Sequence, residues 1–210
     1  MRCDRWHMNE IFRMSCLALF VSGPIIAVLS LLCRRLKPSA TLCRIKGWRW
    51  YVPPVLLPVE WLLPPVLLVF QLGEIEVDCT AIRIAGLAIG LGGVVLLFCS
   101  AVVLGRFLIH EASVREDHDL VSSGPYRFIR HPVYTGFLAL LLGSGIATLN
   151  VYLMLLWPVS LLGILIQAAS EEQILVARFG QEYERYVGNT GRLVPRFWRR
   201  GATVDEPKGG

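Results

Sequence analysis

Long apolar runs set the strongest limit on the fold of this chain. Five of them lie at about residues 11–33, 51–72, 82–105, 132–149 and 151–170. A helix needs roughly 20 apolar residues to cross about 30 Å of hydrocarbon. Only 18% of the 210 residues are charged, against roughly 25% in an average soluble domain. The sequence therefore predicts an all-α integral membrane protein with about five transmembrane helices.

The loops between these runs predict their orientation, because short loops rich in Lys and Arg stay in the cytoplasm. Segment 34–49 carries six basic residues and no acid, whereas the next loop carries Glu74, Glu76 and Asp78 with only Arg83 as a basic residue. The polar segment 106–131 and the basic tail after residue 170 then face the cytoplasm, and the turn at Asn150 faces outside. We therefore expect a multi-pass membrane protein with its titratable groups on the cytoplasmic side.

Local features of two runs add expectations about packing. Five prolines interrupt the second run, so its helix should be kinked or broken. Gly86 and Gly90 in the third run form one G-x-x-x-G step, which is typical of close helix packing. Glu60 lies among the prolines, where a carboxylate in hydrocarbon marks either a function or a hydrogen-bonded, protonated side chain. We leave Glu60 outside the predicted site.

Composition excludes several classes of partner. The six cysteines are scattered and form no C-x-x-C pair with a nearby His, so neither a metal site nor a disulfide framework is indicated. The net charge of +5 follows mostly from the basic cytoplasmic loop, which favours anionic lipid head groups. We therefore expect membrane lipids as partners, and neither nucleic acid nor metal.

Titratable residues concentrate at the cytoplasmic mouth of the hairpin formed by the last two runs. Pro132 suits the first turn of a helix and keeps His131 out of helical geometry. Arg130 and His131 should therefore lie at that mouth. Glu171 and Glu172 end the other leg, and because the hairpin is antiparallel the two pairs should face each other.

The segment after the glutamates also contains helix signals. Gly180 is expected to end the helix that carries them. Tyr183 and Tyr186 then begin a further short amphipathic turn. These two tyrosines are read equally well as packing residues or as contacts to a bound molecule.

Two ordered motifs in these segments carry a family resemblance. The first, H-x-L-V-x-x-G-P-Y-x-x-x-R-H-P-x-Y-x-G, covers residues 118–136, and E-E-x-x-L-x-x-x-F-G-x-E-Y-x-x-Y followed by T-G-R-L-x-P covers residues 171–195. Together they resemble the isoprenylcysteine carboxyl methyltransferase family and its prokaryotic relatives, and are more distantly similar to phospholipid N-methyltransferases. The resemblance covers about residues 106–195 and implies a five-span core.

Three regions follow from this resemblance. Residues 1–105 would hold about three N-terminal transmembrane helices. Residues 106–196 would form a methyltransferase catalytic region with a transmembrane hairpin. Residues 197–210 would be a disordered tail.

The resemblance implies S-adenosylmethionine as cofactor, bound without a Rossmann domain in a cytoplasmic pocket closed by the C-terminal segment. Carried over by position, the cofactor-binding residues are His118, Leu120, Val121, Gly124, Tyr126, His131, Tyr134, Glu171, Glu172 and Arg192. Arg130 and Glu171 are the predicted catalytic residues. Arg130 would hold a substrate carboxylate in two parallel hydrogen bonds, and Glu171 would act as base if the acceptor were a protonated amine.

Plainer interpretations and other functions stay open at this point. Arg130 and His131 could anchor the chain to lipid phosphate, and Glu171 with Glu172 could be a solvated helix end. The acceptor would be lipidic or membrane-borne, with a prenylcysteine carboxylate suggested by the family's name and a phospholipid amine or a small thiol as the alternative. A reductase of the sterol type, which would bind NADPH, and a non-catalytic membrane scaffold are the hypotheses from other classes.

Overall fold

The computed structural model describes residues 2–21, 41–44, 52–75, 77, 79–104, 113–115 and 120–196. Its helices in chain order are α1 (Arg2–Phe20), α2 (Val52–Val69), α3 (Thr80–Leu104), α4 (Pro132–Thr148), α5 (Val151–Phe179) and α6 (Gln181–Asn189), with a 3-10 turn at Gly124–Arg127 before α4. Two short strands, β1 (Thr41–Arg44) and β2 (Ser113–Arg115), complete the elements. The prediction of a mostly helical fold is confirmed.

The pair β1–β2 is a correction to the all-α prediction. The two strands run antiparallel, with Thr41 opposite Arg115 and Arg44 opposite Ser113. Strands of four and three residues are too short for an alternating apolar pattern to be recognised in the sequence. Their pairing brings the segment after α1 next to the segment after α3.

Helices α4 and α5 form the predicted hairpin. Leu149 adopts a left-handed conformation after α4 (φ 50°, ψ 44°). The Asn150 side chain then caps α5 by accepting a hydrogen bond from the Leu153 amide, as expected of a residue that precedes a helix. Asn150 also donates through Nδ2 to the Leu72 carbonyl at 2.8 Å. The hairpin tip is therefore fixed to the end of α2.

Glycines let α3 and α4 approach closely. A Cβ atom on Gly143 would lie 2.6 Å from the Gly86 carbonyl oxygen, and one on Gly136 would lie 2.7 Å from that of Gly93. These separations leave no room for a side chain. The predicted packing role of Gly86 is thus confirmed, and its partner is the backbone of α4. Close backbone approach through small residues is typical of helices in membranes.

Helix α4 lies at the centre of the described fold, packed against α1, α3 and α5. Its Leu140 and Leu141 side chains are fully buried and join Phe137 in a core shared with Phe12 of α1 and Leu153 of α5. Helix α2 packs on α5 and α1. It runs as one helix across all five prolines, so the prolines do not break it. The side chain of Glu60 lies outside the described residues.

Two helices, α3 and α5, are long and apolar enough to cross a membrane, and α4 is a shorter apolar helix of 17 residues. Large apolar side chains such as Phe98 on α3 and Leu162 on α5 are exposed. Apolar surface of this kind would face lipid rather than water. The ends of α3, α4 and α5 agree with the predicted runs to within two residues, except that α5 continues beyond residue 170 to Phe179. Residues 22–40 and 45–51, which include most of the basic loop, lie outside the described residues.

Candidate functional site

The site begins at the N-terminus of α4. Pro132 is the first residue of that helix, and His131 before it is not helical (φ −121°, ψ 62°). The main chain here pairs with the C-terminal segment: the amides of Arg130 and His131 donate to the carbonyls of Gly191 (2.8 Å) and Arg192 (3.1 Å). These bonds hold residues 190–193 across the mouth of the α4–α5 hairpin.

Glu172 is the centre of the charged network at this mouth. Its Oε1 accepts from Nε of Arg130 at 2.9 Å and lies 3.3 Å from Nε2 of His131. Arg192 donates to the same carboxylate through both Nε, at 3.2 Å, and Nη2. The side chains of Arg130 and Glu172 are only 9% and 12% exposed, whereas that of Arg192 is 40% exposed. The network therefore connects α5, the start of α4 and the C-terminal segment, and its Arg130–Glu172 pair is largely buried.

Glu171 has a different environment from its neighbour. Its Oε1 accepts from the hydroxyl of Tyr134 at 2.5 Å and from Nε2 of Gln167 at 3.3 Å, and its Oε2 lies 3.5 Å from Nδ1 of His131. The side chain is 23% exposed. Of the two glutamates, Glu171 is the one within easier reach of a ligand.

The His131 ring bridges the two carboxylates. Its two nitrogens face Glu171 and Glu172, and both nitrogens can donate at once only when the imidazole is protonated. Burial opposes that charge, but the hydrogen bonds that the ring makes to the carboxylates of Glu171 and Glu172 outweigh it and raise the pKa of His131 above its ordinary value. The ring also stacks on Tyr134, with centroids 5.5 Å apart and planes 16° apart. The geometry favours an imidazolium.

The motif residues upstream of Arg130 support the site from one side. Gly124 has a positive φ of 56°, and a Cβ atom there would come within 2.8 Å of the Val103 side chain, so this position requires glycine. Tyr126 is 7% exposed, and its carbonyl accepts from the Tyr186 hydroxyl at 2.7 Å. Leu120 and Val121 are half-buried at the start of this segment. His118 lies outside the described residues.

The arginine predicted to bind a substrate carboxylate is engaged within the protein. Nη1 of Arg130 donates to the carbonyls of Thr190, at 2.5 Å, and Val187, at 3.3 Å, while its Nε is bonded to Glu172. In this state Nη2 is the nitrogen without a hydrogen bond among the described residues. The structure therefore brings Arg130, His131, Tyr134, Glu171, Glu172 and Arg192 together, but with Arg130 joined to Glu172.

Three supporting residues were absent from the prediction. Gln167 bonds Glu171 from one turn earlier in α5, a contact that the i, i+4 spacing could have indicated. Thr135 donates to the Leu193 carbonyl at 2.7 Å, and the Thr190 hydroxyl donates to the Tyr186 carbonyl at 2.6 Å. Main-chain acceptors leave no signal in a sequence. No group of three or more metal-ligating side chains occurs in the part of the chain that the structure describes.

The helix ends around the site follow the sequence signals. Gly180, with φ 51° and ψ −124°, caps α5 and its amide bonds the Val176 carbonyl, which confirms the predicted end of that helix. Helix α6 then turns Tyr183 into the fold, where it is 1% exposed.

Comparison with known proteins now adds a family relationship. Residues 81–182 match the family model described as phospholipid methyltransferase. The chain is 26% identical to methanethiol S-methyltransferase 1 of Bradyrhizobium diazoefficiens over 134 residues, which cover 60% of this chain and 46% of that protein. It is 39% identical to protein-S-isoprenylcysteine O-methyltransferase of Schizosaccharomyces pombe over 72 residues, covering 34% of this chain and 30% of that protein.

A solved structure gives a further comparison. The eukaryotic intramembrane Ras methyltransferase isoprenylcysteine carboxyl methyltransferase aligns with a TM-score of 0.49 and 23% identity, over 72% of this chain and 54% of that one. The chain thus spans about half or less of the length of these three relatives. The family model and the isoprenylcysteine methyltransferase from Schizosaccharomyces pombe confirm the resemblance predicted from the two motifs.

Proposed function

We propose that this chain, which is similar to phospholipid and isoprenylcysteine methyltransferases, is a membrane methyltransferase that uses S-adenosylmethionine to methylate a lipidic or membrane-borne acceptor. One observation carries the proposal: Arg130 and His131 face Glu171 and Glu172 at the mouth of the α4–α5 hairpin. All four residues lie within the region that matches the family model.

The proposal includes five membrane spans and a site on the cytoplasmic side. Helices α3 and α5 have the required length and apolar character, and α4, at about 1.5 Å per residue, is about 25 Å long. The site lies at the end of α4 that begins with Pro132, next to Arg130 and Arg192. Positive charge at a helix end favours the cytoplasmic face.

The side chains present fit S-adenosylmethionine. That molecule carries an ammonium, a carboxylate and an adenosyl group, and it supplies an electrophilic methyl group on a sulfonium. An ammonium needs carboxylate acceptors, and Glu171 offers one that is partly exposed. Arg192, which is bonded to Glu172 and 40% exposed, offers donors in the same network. We assign the other motif residues, including His118 and Gly124, to the walls of the cofactor site.

The chemistry required of the protein depends on the acceptor. A carboxylate with a pKa near about 3.5 is already ionised at neutral pH and needs no base. For such an acceptor, the protein contributes alignment of the nucleophile with the methyl group, worth about 7–11 kcal/mol when the geometry is good. We place Arg130 nearest the reacting centre. Its Nη2 would bind the acceptor, and its Nε fixes the position of Glu172 through their hydrogen bond.

A small thiol is the second candidate acceptor. It is favoured by the relative from Bradyrhizobium diazoefficiens, named methanethiol S-methyltransferase 1, which aligns with 60% of this chain. A thiol with a pKa near about 8.5 must lose its proton before it attacks. Glu171, as the more exposed carboxylate, is then the base. Because Glu171 also binds the cofactor in this proposal, the two candidates differ in whether the rate at saturating S-adenosylmethionine still depends on that carboxylate.

The first test is calorimetric titration of S-adenosylhomocysteine into the detergent-purified protein. We compare the wild type with Glu171→Gln and with Glu184→Gln, whose carboxylate lies exposed on α6. Loss of one charge-assisted hydrogen bond should weaken binding about tenfold or more in Glu171→Gln and leave Glu184→Gln unchanged. NADPH is the control ligand. A folded wild-type protein that binds NADPH and not the nucleoside belongs to the reductase class.

A transfer assay then separates the acceptors. Radiolabelled methyl transfer is measured to a farnesylated cysteine, to methanethiol and to phosphatidylethanolamine. Methyl ester formation on the farnesylated cysteine supports the first proposal, and thioether formation on methanethiol supports the second. A protein that binds the nucleoside and methylates none of the three acceptors contradicts both acceptor assignments.

A further inference from the structure

Helix α6 places an unsatisfied hydroxyl beside the charged network. Tyr183 is 1% exposed, and its hydroxyl has no hydrogen-bond partner among the residues that the structure describes. Buried polar groups are nearly always paired, and leaving one unpaired costs free energy that phenylalanine in the same place would not. The hydroxyl therefore needs a partner that the described part of the chain does not provide.

The neighbouring tyrosine shows the contrast. Tyr186 lies one turn further along the same face of α6, with its ring centroid 5.8 Å from that of Tyr183. Its hydroxyl is satisfied by the carbonyl of Tyr126 at 2.7 Å. Of the two hydroxyls on this face, that of Tyr186 has a hydrogen-bond partner among the described residues and that of Tyr183 has none there.

The surroundings determine what kind of partner Tyr183 can take. Arg130, whose Nε is bonded to Glu172, also donates to the carbonyl of Val187, one turn beyond Tyr183 on α6, so this part of α6 lies beside the charged network. Burial raises the pKa of Tyr183 above its ordinary value, so the phenol stays protonated and can donate. The hydroxyl is therefore a neutral donor on the helix that adjoins the charged network.

We propose that the Tyr183 hydroxyl donates a hydrogen bond to the amino-acid carboxylate of bound S-adenosylmethionine. The inference rests on the proposed function, in which Glu171 receives the ammonium of the same molecule. The ammonium and the carboxylate of an amino acid share one carbon atom, so a donor on the helix that adjoins this network meets the carboxylate when Glu171 binds the ammonium. Tyr183 then contacts the cofactor directly, whereas Tyr186 positions the chain.

The test compares Tyr183→Phe with its matched control Tyr186→Phe by calorimetry. Two ligands are titrated: S-adenosylhomocysteine, which has the amino-acid group, and 5′-methylthioadenosine, which lacks it. Thermal unfolding of each ligand-free protein is measured in the same detergent. We expect Tyr183→Phe to bind S-adenosylhomocysteine about tenfold more weakly with unchanged affinity for methylthioadenosine. Its ligand-free unfolding temperature should equal or exceed that of the wild type.

The control variant should show the opposite pattern. Tyr186→Phe loses the bond to Tyr126, so its unfolding temperature should fall while its affinity for S-adenosylhomocysteine stays within about twofold of the wild type. Unchanged affinity for S-adenosylhomocysteine in Tyr183→Phe overturns the inference, and so does an equal loss of affinity for both ligands. No binding by the wild type overturns the proposed function instead, which keeps the two failures distinct.

Discussion

Replacement of Glu172 by alanine should destabilise the protein more than any other single loss in the charged network. Its carboxylate accepts from Arg130, whose side chain is 9% exposed, and from Arg192, which is 40% exposed. Removing one partner of a buried pair costs about 3–5 kcal/mol, because the remaining charge is left unpaired. Arg130 keeps its two carbonyl acceptors and Arg192 is partly solvated, so we expect the lower end, about 3 kcal/mol.

Thermal unfolding in a fixed detergent measures this loss. For a chain of this size, about 1 kcal/mol corresponds to roughly 2–4 °C in unfolding temperature, so Glu172→Ala should unfold about 6–12 °C below the wild type. The matched variant Glu184→Ala removes an exposed carboxylate near the start of α6 and should cost no more than about 1 kcal/mol. A Glu172→Ala protein within about 2 °C of the wild type would refute the reasoning, because Arg130 and Arg192 would then not depend on this carboxylate.

Two further predictions concern packing and pH. Gly143→Ala places a Cβ atom against the backbone of α3 and should lower the free energy of unfolding by about 1–3 kcal/mol through overpacking. The control Gly188→Ala has open space around the new Cβ atom and should be as stable as the wild type. Equal unfolding temperatures for the two variants would contradict the close approach of α3 and α4. Because the pKa of His131 is raised in the folded state by Glu171 and Glu172, its contribution should be complete below about pH 6.5 and be lost as pH rises through the raised value. Unfolding temperature measured against pH should therefore fall over that window in the wild type and stay flatter in His131→Gln, and parallel curves would argue against an imidazolium between the carboxylates.

The sequence predicted those parts of the fold that depend on hydropathy and on residues that begin or end helices. Pro132 and Gly180 marked helix ends that the structure contains, because proline lacks an amide hydrogen and glycine tolerates a positive φ. The antiparallel hairpin then made it possible to place Arg130 opposite Glu172. The identity of the chemical roles within the site stays a prediction.

The sequence could not predict features that depend on main-chain acceptors or on short pairings. The two carbonyls that hold Arg130 belong to Val187 and Thr190, and neither residue type carries a signal for that contact. Of the kink or break that the prolines predicted in α2, the structure contradicts the break, because one helix runs across all five prolines. Tyr183 could be noticed by its motif position, but its unpaired hydroxyl becomes visible only when every neighbour is placed.

The C-terminal segment and the hairpin mouth depend on each other. Residues 190–193 are held on the chain before α4 by main-chain bonds to Arg130 and His131 and by the Thr135 hydroxyl. In turn, Arg192 reaches back to Glu172, so the segment supplies one of the cations that neutralise the buried carboxylate. Release of this segment would expose Glu172 and free Nη1 of Arg130 from Thr190. An arginine that only anchors the chain to lipid phosphate does not need a fixed orientation. An arginine at a reacting centre does need one, and these contacts provide it. For this reason we expect the orientation of Arg130, rather than its charge alone, to determine how well the site works.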